Sequence, residues 1–182
     1  MSIKEIRDYA LSNDDIQALL NPETNIVTYP TFANFQHIDE AFDELGRCIF
    51  LFLTDSPTSG HWLCMFKRGA NQIEYFDSYG EPPEAQRDWI PEDQLEELGE
   101  GEPYLYNLLK ASGYKVHYNT VAYQSDKKDI STCGRWCVAR LICKDFSNKE
   151  FYDLVREQMR TVEEAKSPDD WVALFVYQFI GK

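Results

Sequence analysis

The sequence predicts an α+β domain: a short, mostly antiparallel sheet packed against a central helix that begins at Cys133, with additional helices around it. Short apolar segments at 48–54, 61–66 and 73–77 follow one another with turn-sized connections, as in an antiparallel meander. From Cys133 the spacing becomes helical. Trp136, Cys137, Val138, Leu141, Ile142 and Phe146 cover more than half the circumference, so this helix is expected to be largely buried. The 182 residues suffice for one hydrophobic core, and residues 1–182 read as a single domain without repeats or linkers.

In chain order, residues 3–20 read as helical with a break near Ser12. There Ser12 and Asp15 form a capping pair, and Asn21-Pro22 stops the second helix. Phe32, Phe35 and Phe42 bring aromatic bulk to a segment with no clear period. Residues 48–53 are continuously apolar, which marks a strand buried on both faces. Residues 55–60 form a turn, 61–66 a second strand, 67–72 a tight connection around Gly69, and 73–77 a third strand ended by Ser78-Tyr79-Gly80. Trp62, Cys64 and Phe66 alternate and share one packed face. Residues 81–100 hold eight acids and one base, and read as an exposed loop with a short helix near 94–98. A helix over 104–111 ends at Gly113, and 114–120 is strand-like. Residues 124–131 form a polar loop before the Cys133 helix. Ser147 and Glu150 make a capping box for a helix through about 162, and Ser167-Pro168 opens a last one over 168–180.

Composition narrows the function. Lys and Arg number 18 against 31 Asp and Glu, a formal charge of -13, which argues against a main role in gripping nucleic-acid phosphates. No apolar run is long enough to span a bilayer, and residues 1–9 lack the apolar core of a secretory signal. The five cysteines, Cys48, Cys64, Cys133, Cys137 and Cys143, are odd in number and lie mostly in apolar stretches, which fits a reducing compartment.

The chemistry converges on His61, Asp77, Gln124, Cys133 and Gly134. A thiol at a helix N-terminus meets unpaired backbone N–H groups that favour its thiolate. Gly134 leaves the backbone open beside the sulfur, where N–H groups can meet a developing oxyanion. Such a nucleophile needs a base, and the base an orienting acceptor. Of the three histidines, His61 opens a strand beside a loop, whereas His37 lies in the aromatic N-terminal segment and His117 mid-strand. If the second and third strands pair about residue 69, His61 and Asp77 face each other at the open end of the hairpin.

Gly60-His61-Trp62, then Phe76-Asp77-Ser78-Tyr79-Gly80, then Gln124, then Ser131-Thr132-Cys133-Gly134-Arg135-Trp136-Cys137 resembles the adenovirus-protease and SUMO-protease superfamily of cysteine peptidases. The order His, Asp, Gln, Cys is the specific part, and the resemblance covers roughly residues 45–145. It is closest to the proteases of large DNA viruses, virophages and polinton-like elements. The resemblance implies that His61 is the general base, Asp77 orients it, Cys133 attacks the scissile carbonyl and Gln124 donates to the oxyanion. It also implies that Trp62, with Gly134, borders the substrate. Gln124 stands nine residues before Cys133, a wider gap than the superfamily usually has, so the intervening loop must bulge or another group must serve. No cofactor is implied. The expected partner is a protein substrate cut after a small residue such as glycine, with room for an activating peptide or nucleic acid. A monomer in host cytoplasm, virus factory or virion, acting in structural-protein maturation, is the expected setting.

Other readings weigh against this one. A ubiquitin-like-modifier isopeptidase would use the same residues, and a non-catalytic peptide-binding module would share the fold without needing a paired base and thiol. A zinc site from His61, Cys64, Cys133 and Cys137 lacks the usual ligand spacing. Cys137 and Cys143 read as core residues, and a Cys133–Cys137 disulfide is not expected at helical spacing. Lys127 and Lys128, with Arg135, form a small basic cluster near the proposed nucleophile.

Overall fold

In the computed structural model, which describes residues 1–20 and 24–180, the sheet carries five strands in the order β1-β2-β3-β4-β5. These are β1 (Ile26–Thr28), β2 (Arg47–Ser56), β3 (Ser59–Arg68), β4 (Gln72–Phe76) and β5 (Lys115–Tyr118). The β2-β3-β4 centre is the expected antiparallel meander, while β1 and β5 add to its two edges in parallel. The expected strand at 114–120 is confined to β5, and β1 lies in the segment without a readable period.

Both faces of the sheet are covered, which is why β2 is continuously apolar. Ile49, Leu51 and Leu53 pack with Trp62, Cys64, Phe66 and Phe76 against Trp136, Val138 and Trp171. Cys48, Phe50 and Phe52 pack with Leu63, Met65 and Tyr75 against Tyr29, Phe32 and Leu105 on the other side. The unassigned aromatics find their place here: Phe32 is buried and Phe35 and Phe42 pack against the same cluster.

The helices are α1 (Ile3–Asp8), α2 (Asn13–Leu20), α3 (Glu92–Glu97), α4 (Tyr104–Ser112), α5 (Cys133–Ile142), α6 (Asn148–Thr161) and α7 (Pro168–Tyr177). The break at Ser12 is present, with Ser12 Oγ accepting from the Asp15 N–H at 3.2 Å. The expected Asn21-Pro22 stop lies outside the described residues. Ser147 and Glu150 form the capping box of α6, and Ser167 caps α7. α7 ends at Tyr177, short of residue 180. α5 is buried from Gly134 to Leu141, but Ile142 and Phe146 beyond its core face are exposed. Among the described residues no helix is long and apolar enough to cross a membrane.

The acidic segment has the short helix expected near 94–98, and most of it is exposed or half-buried, but it is anchored rather than free. It folds back as a 3-10 turn (Ala85–Trp89) and α3, held by two of its own carboxylates. Glu84 accepts from the Tyr29 hydroxyl at 2.6 Å and from the Tyr106 N–H at 2.9 Å. Glu100 is fully buried and accepts from the Leu53 N–H at 2.7 Å, beyond the end of β1. Burial raises the Glu100 carboxyl to about 7, outweighing the Leu53 N–H and the charge of Arg87, which favour the carboxylate.

Candidate active site

His61 stands near the start of β3, where the chain must approach β2 closely. A Cβ at Gly60 would lie 1.8 Å from the Phe52 carbonyl oxygen, so only glycine fits the position before His61. The β3–β4 ladder pairs Arg68 with Gln72 and Cys64 with Phe76, which centres the turn on residue 70 rather than 69. Continued one residue beyond its last pair, this register sets Asp77 opposite Leu63, two residues from His61, before a turn closed by the Gly80 N–H on the Asp77 carbonyl carries Tyr79 out of the ladder. The expected direct pairing of His61 and Asp77 is therefore corrected by one diagonal step. The two still share a face, and diagonal neighbours lie within reach of long side chains. His61 Nε2 and Asp77 Oδ1 are 2.8 Å apart.

Asp77 is wholly buried and tightly held. Its Oδ1 also accepts from the Tyr79 N–H at 2.9 Å, and its Oδ2 accepts from Gln86 Nε2 at 2.9 Å. Asn119 fixes its backbone, receiving from the Asp77 N–H at 3.1 Å and donating to its carbonyl at 2.7 Å. His61 is sandwiched as well as hydrogen-bonded. Tyr79 stacks on the ring at 4.9 Å between centroids and 17° between planes, and Trp89 meets it edge-on at 5.2 Å. The imidazole is thus constrained on one nitrogen, one face and one edge, and Nδ1 is the nitrogen not engaged by Asp77.

Cys133 opens α5 on the other wall and is partly exposed. Burial alone would raise its thiol. The hydrogen bond and charge of His61 outweigh that, aided by the N–H groups of Trp62 and Gly134, and the thiol is held below its ordinary value. The reciprocal effect acts on His61: burial opposes its charge, but hydrogen bonds to Asp77 and Cys133 push it up to about 9. The remaining cysteines behave differently. Burial raises the Cys137 and Cys143 thiols, and Cys64 faces the Cys137 carbonyl at 3.9 Å.

Gln124 reaches the same cleft from the loop before α5. Its backbone N–H donates to the Ser78 carbonyl at 3.0 Å, and its Oε1 accepts from Ser78 Oγ at 2.7 Å. With Oε1 so occupied, Nε2 is the donor left over, and it takes no protein partner among the described residues. The wide gap to Cys133 is accommodated by a bulging loop tied to α7. Asp169 accepts from the Ser125 N–H at 2.9 Å and the Trp136 indole at 3.1 Å, and also from the Thr132 hydroxyl. Thr132 immediately precedes Cys133, so Asp169 sets the loop of Gln124 and the head of α5 together.

Cys133, His61, Trp62 and Gln124 line a groove of about 850 Å³ that also includes Leu11, Thr28 and Lys128. Trp62 is fixed by its indole N–H donating to the Leu11 carbonyl at 3.2 Å. Gly134 lies beneath that indole rather than on the groove surface: an added Cβ would meet Trp62 Cδ1 at 3.1 Å and Leu11 Cβ at 3.3 Å. Lys127 and Lys128 line the groove, but Arg135 does not join them. It is buried, with its guanidinium bonded to the Tyr9 carbonyl. His117 pairs in register with Glu74 on β5, away from these residues. Among the described residues, no three His, Cys, Asp or Glu side chains gather to share a metal ion.

Gln86, Trp89, Asn119 and Asp169 serve the site without having been singled out from the sequence. Their contacts come from segments distant in the chain, and none carries a local motif. Ser78 and Tyr79 lay within the quoted Asp-Ser-Tyr-Gly turn, whose side chains turn inward to Gln124 and His61.

No family model matches the sequence. The chain is 37% identical over 175 residues to an uncharacterized protein, V9, of Sputnik virophage, across 94% of this chain and 98% of that protein.

Proposed function

The chain belongs to the family of the Sputnik virophage protein V9, and for this viral family we propose the activity of a cysteine endopeptidase. The observation that carries the reading is the buried His61–Asp77 hydrogen bond of 2.8 Å, whose imidazole also depresses the Cys133 thiol. A structural histidine needs neither a carboxylate enclosed by Gln86 and Tyr79 nor a thiol beside its ring. Adjacent to them, Gln124 presents an amide nitrogen with no partner among the described residues.

In this reaction the Cys133 thiolate attacks the carbonyl carbon of the scissile bond, and the carbonyl oxygen takes the negative charge. Gln124 Nε2 and the Cys133 backbone N–H stabilise that oxygen. As the C–N bond breaks, protonated His61 gives its proton to the leaving amine, and a thioester remains on Cys133. Neutral His61 then takes a proton from water, the hydroxide adds to the thioester, and Cys133 leaves as thiolate with the acid product. Asp77 holds the ring in position throughout and supports its charged form. The resemblance to the adenovirus-protease and SUMO-protease superfamily suggests a small residue such as glycine before the cut. Processing of virion structural proteins during assembly in the host cell is the role this activity would fill in a virophage.

The test is incubation with a proteome-derived peptide library, with new N-termini read by mass spectrometry. The protein should produce new N-termini, and Cys133→Ala and His61→Ala should each produce none above background while remaining folded. Cleavage that persists in Cys133→Ala would refute the assignment.

A further inference from the structure

A second depression, of about 590 Å³, adjoins the groove and is lined by Tyr79, Glu81, Trp89, Gln124 and Asp126 together with Ala122 and Ser125. It shares Tyr79, Trp89, Gln124 and Asp126 with the groove that contains Cys133. Its place follows from the chemistry of His61. A leaving amine takes its proton from that imidazole, so the residues attached to the amine must pass the groups that flank it. Those groups are Tyr79, stacked on the ring at 4.9 Å, and Trp89, at its edge at 5.2 Å. The same two rings border the second depression, and their own centroids are 5.8 Å apart.

The depression has a distinct charge. Glu81 and Asp126 are exposed carboxylates, neither forms an ion pair among the described residues, and no basic side chain lines it. Lys127 and Lys128 line the main groove instead. Gln124, only 6% exposed, borders both spaces with its Nε2 unpartnered, which marks the boundary as a place where a polar main chain is received. Unpaired carboxylates beside two aromatic rings, one of them a tryptophan 43% exposed, are the environment that attracts an alkylammonium or guanidinium.

We propose that this depression is the leaving-group side of the cleft and that it selects a lysine or arginine residue directly after the cut bond. The proposal rests on the cysteine-peptidase reading above. It applies to a main-chain bond, because a lysine released from an isopeptide contributes its side-chain nitrogen as an uncharged amide and brings no cation to Glu81 and Asp126.

The experiment uses a peptide library generated with a glutamate-specific protease, so that Lys and Arg remain internal, and the Glu81→Gln/Asp126→Asn double variant beside the unaltered protein. The first residue after the cut should be enriched in Lys and Arg. The double variant should lower kcat/KM for a Lys-following peptide by about fivefold to tenfold, the size of partly exposed ion pairs with a cation–π contact, and leave the Ala-following analogue within about twofold. Iodoacetamide carries no leaving-side residue, so its reaction with Cys133 separates the two claims. If Cys133 is activated by His61 but cleavage shows no preference for Lys or Arg, or no cleavage before them, the leaving-group proposal fails alone. If Cys133 is indifferent to His61, the peptidase reading fails and this proposal with it.

Discussion

Asp77, just beyond the last β3–β4 pair, reaches His61 on the diagonal, carboxylate oxygen to Nε2 at 2.8 Å, while Tyr79 in the turn that follows stacks on the same ring. The one-step offset gives the imidazole both a hydrogen-bond anchor and a planar support. It also leaves the second ring nitrogen for the thiol at the head of α5. Two neighbours in one turn of chain thus fix the orientation and the charge of a single side chain.

Gln124 has its Oε1 occupied by Ser78, so its amide donor is oriented before any ligand arrives. Gln124→Ala should lower kcat by about a hundredfold or more and leave KM within a few-fold, as loss of a preorganised oxyanion donor does. The same variant should leave the rate of Cys133 alkylation nearly unchanged, since that reaction develops no oxyanion. Steady-state kinetics on a cleaved peptide, paired with the alkylation rate, checks both halves.

Asp169 joins the Ser125 N–H, the Thr132 hydroxyl and the Trp136 indole. Asp169→Ala should destabilise the fold by about 1–3 kcal/mol, because it leaves buried donors without an acceptor. Activity should fall further than stability accounts for at temperatures where the variant is folded, since the loop of Gln124 loses its tether to α7. Chemical denaturation and kinetics at one temperature separate these effects.

Glu100 ties the acidic segment to β2 through the Leu53 N–H, with its other carboxylate oxygen buried and unpartnered. Its folded pKa of about 7 lies above the ordinary 4.5, so the folded state holds more protons than the unfolded chain between those values. Stability from this group is therefore fully present below pH 4.5 and lost as pH rises through about 7. Glu100→Gln should remove that loss and raise Tm relative to the unaltered protein at pH 8 while changing it little at pH 5. A thermal melt at the two pH values checks the sign.

Much of this architecture was legible because two periods dominate the sequence. Continuous apolarity at 48–53 marks β2, and the helical spacing after Cys133 marks α5; both are buried as that patterning requires. Strand β1 is too short to show a period, and the parallel edge pairings follow from tertiary packing alone. The short helix of the acidic segment and its general exposure were legible, but a charge count treats every carboxylate as solvated and so hides the two that hold the segment down. Glu84 and Glu100 instead accept from Tyr29 and Leu53 and fold the segment onto the sheet. Gln86 and Trp89 ride on it to Asp77 and His61, contacts that no local pattern in the segment signals. Arg135 looked like a surface cation beside Lys127 and Lys128, but its helical position turns it inward to the Tyr9 carbonyl.

The central claim is the pairing of the Cys133 thiol with the His61 imidazole, and the most direct measurement is the rate of iodoacetamide alkylation at Cys133 against pH, by mass spectrometry of the intact protein, with His61→Ala in parallel. The His61 ring, raised to about 9, keeps its proton through neutral pH and supports the thiolate there; that support is lost as pH rises through about 9. The account predicts a Cys133 that reacts below the pH of an ordinary thiol and whose titration moves upward when His61 is removed. A Cys133 that titrates as an ordinary thiol, or one unaffected by the loss of His61, would contradict it.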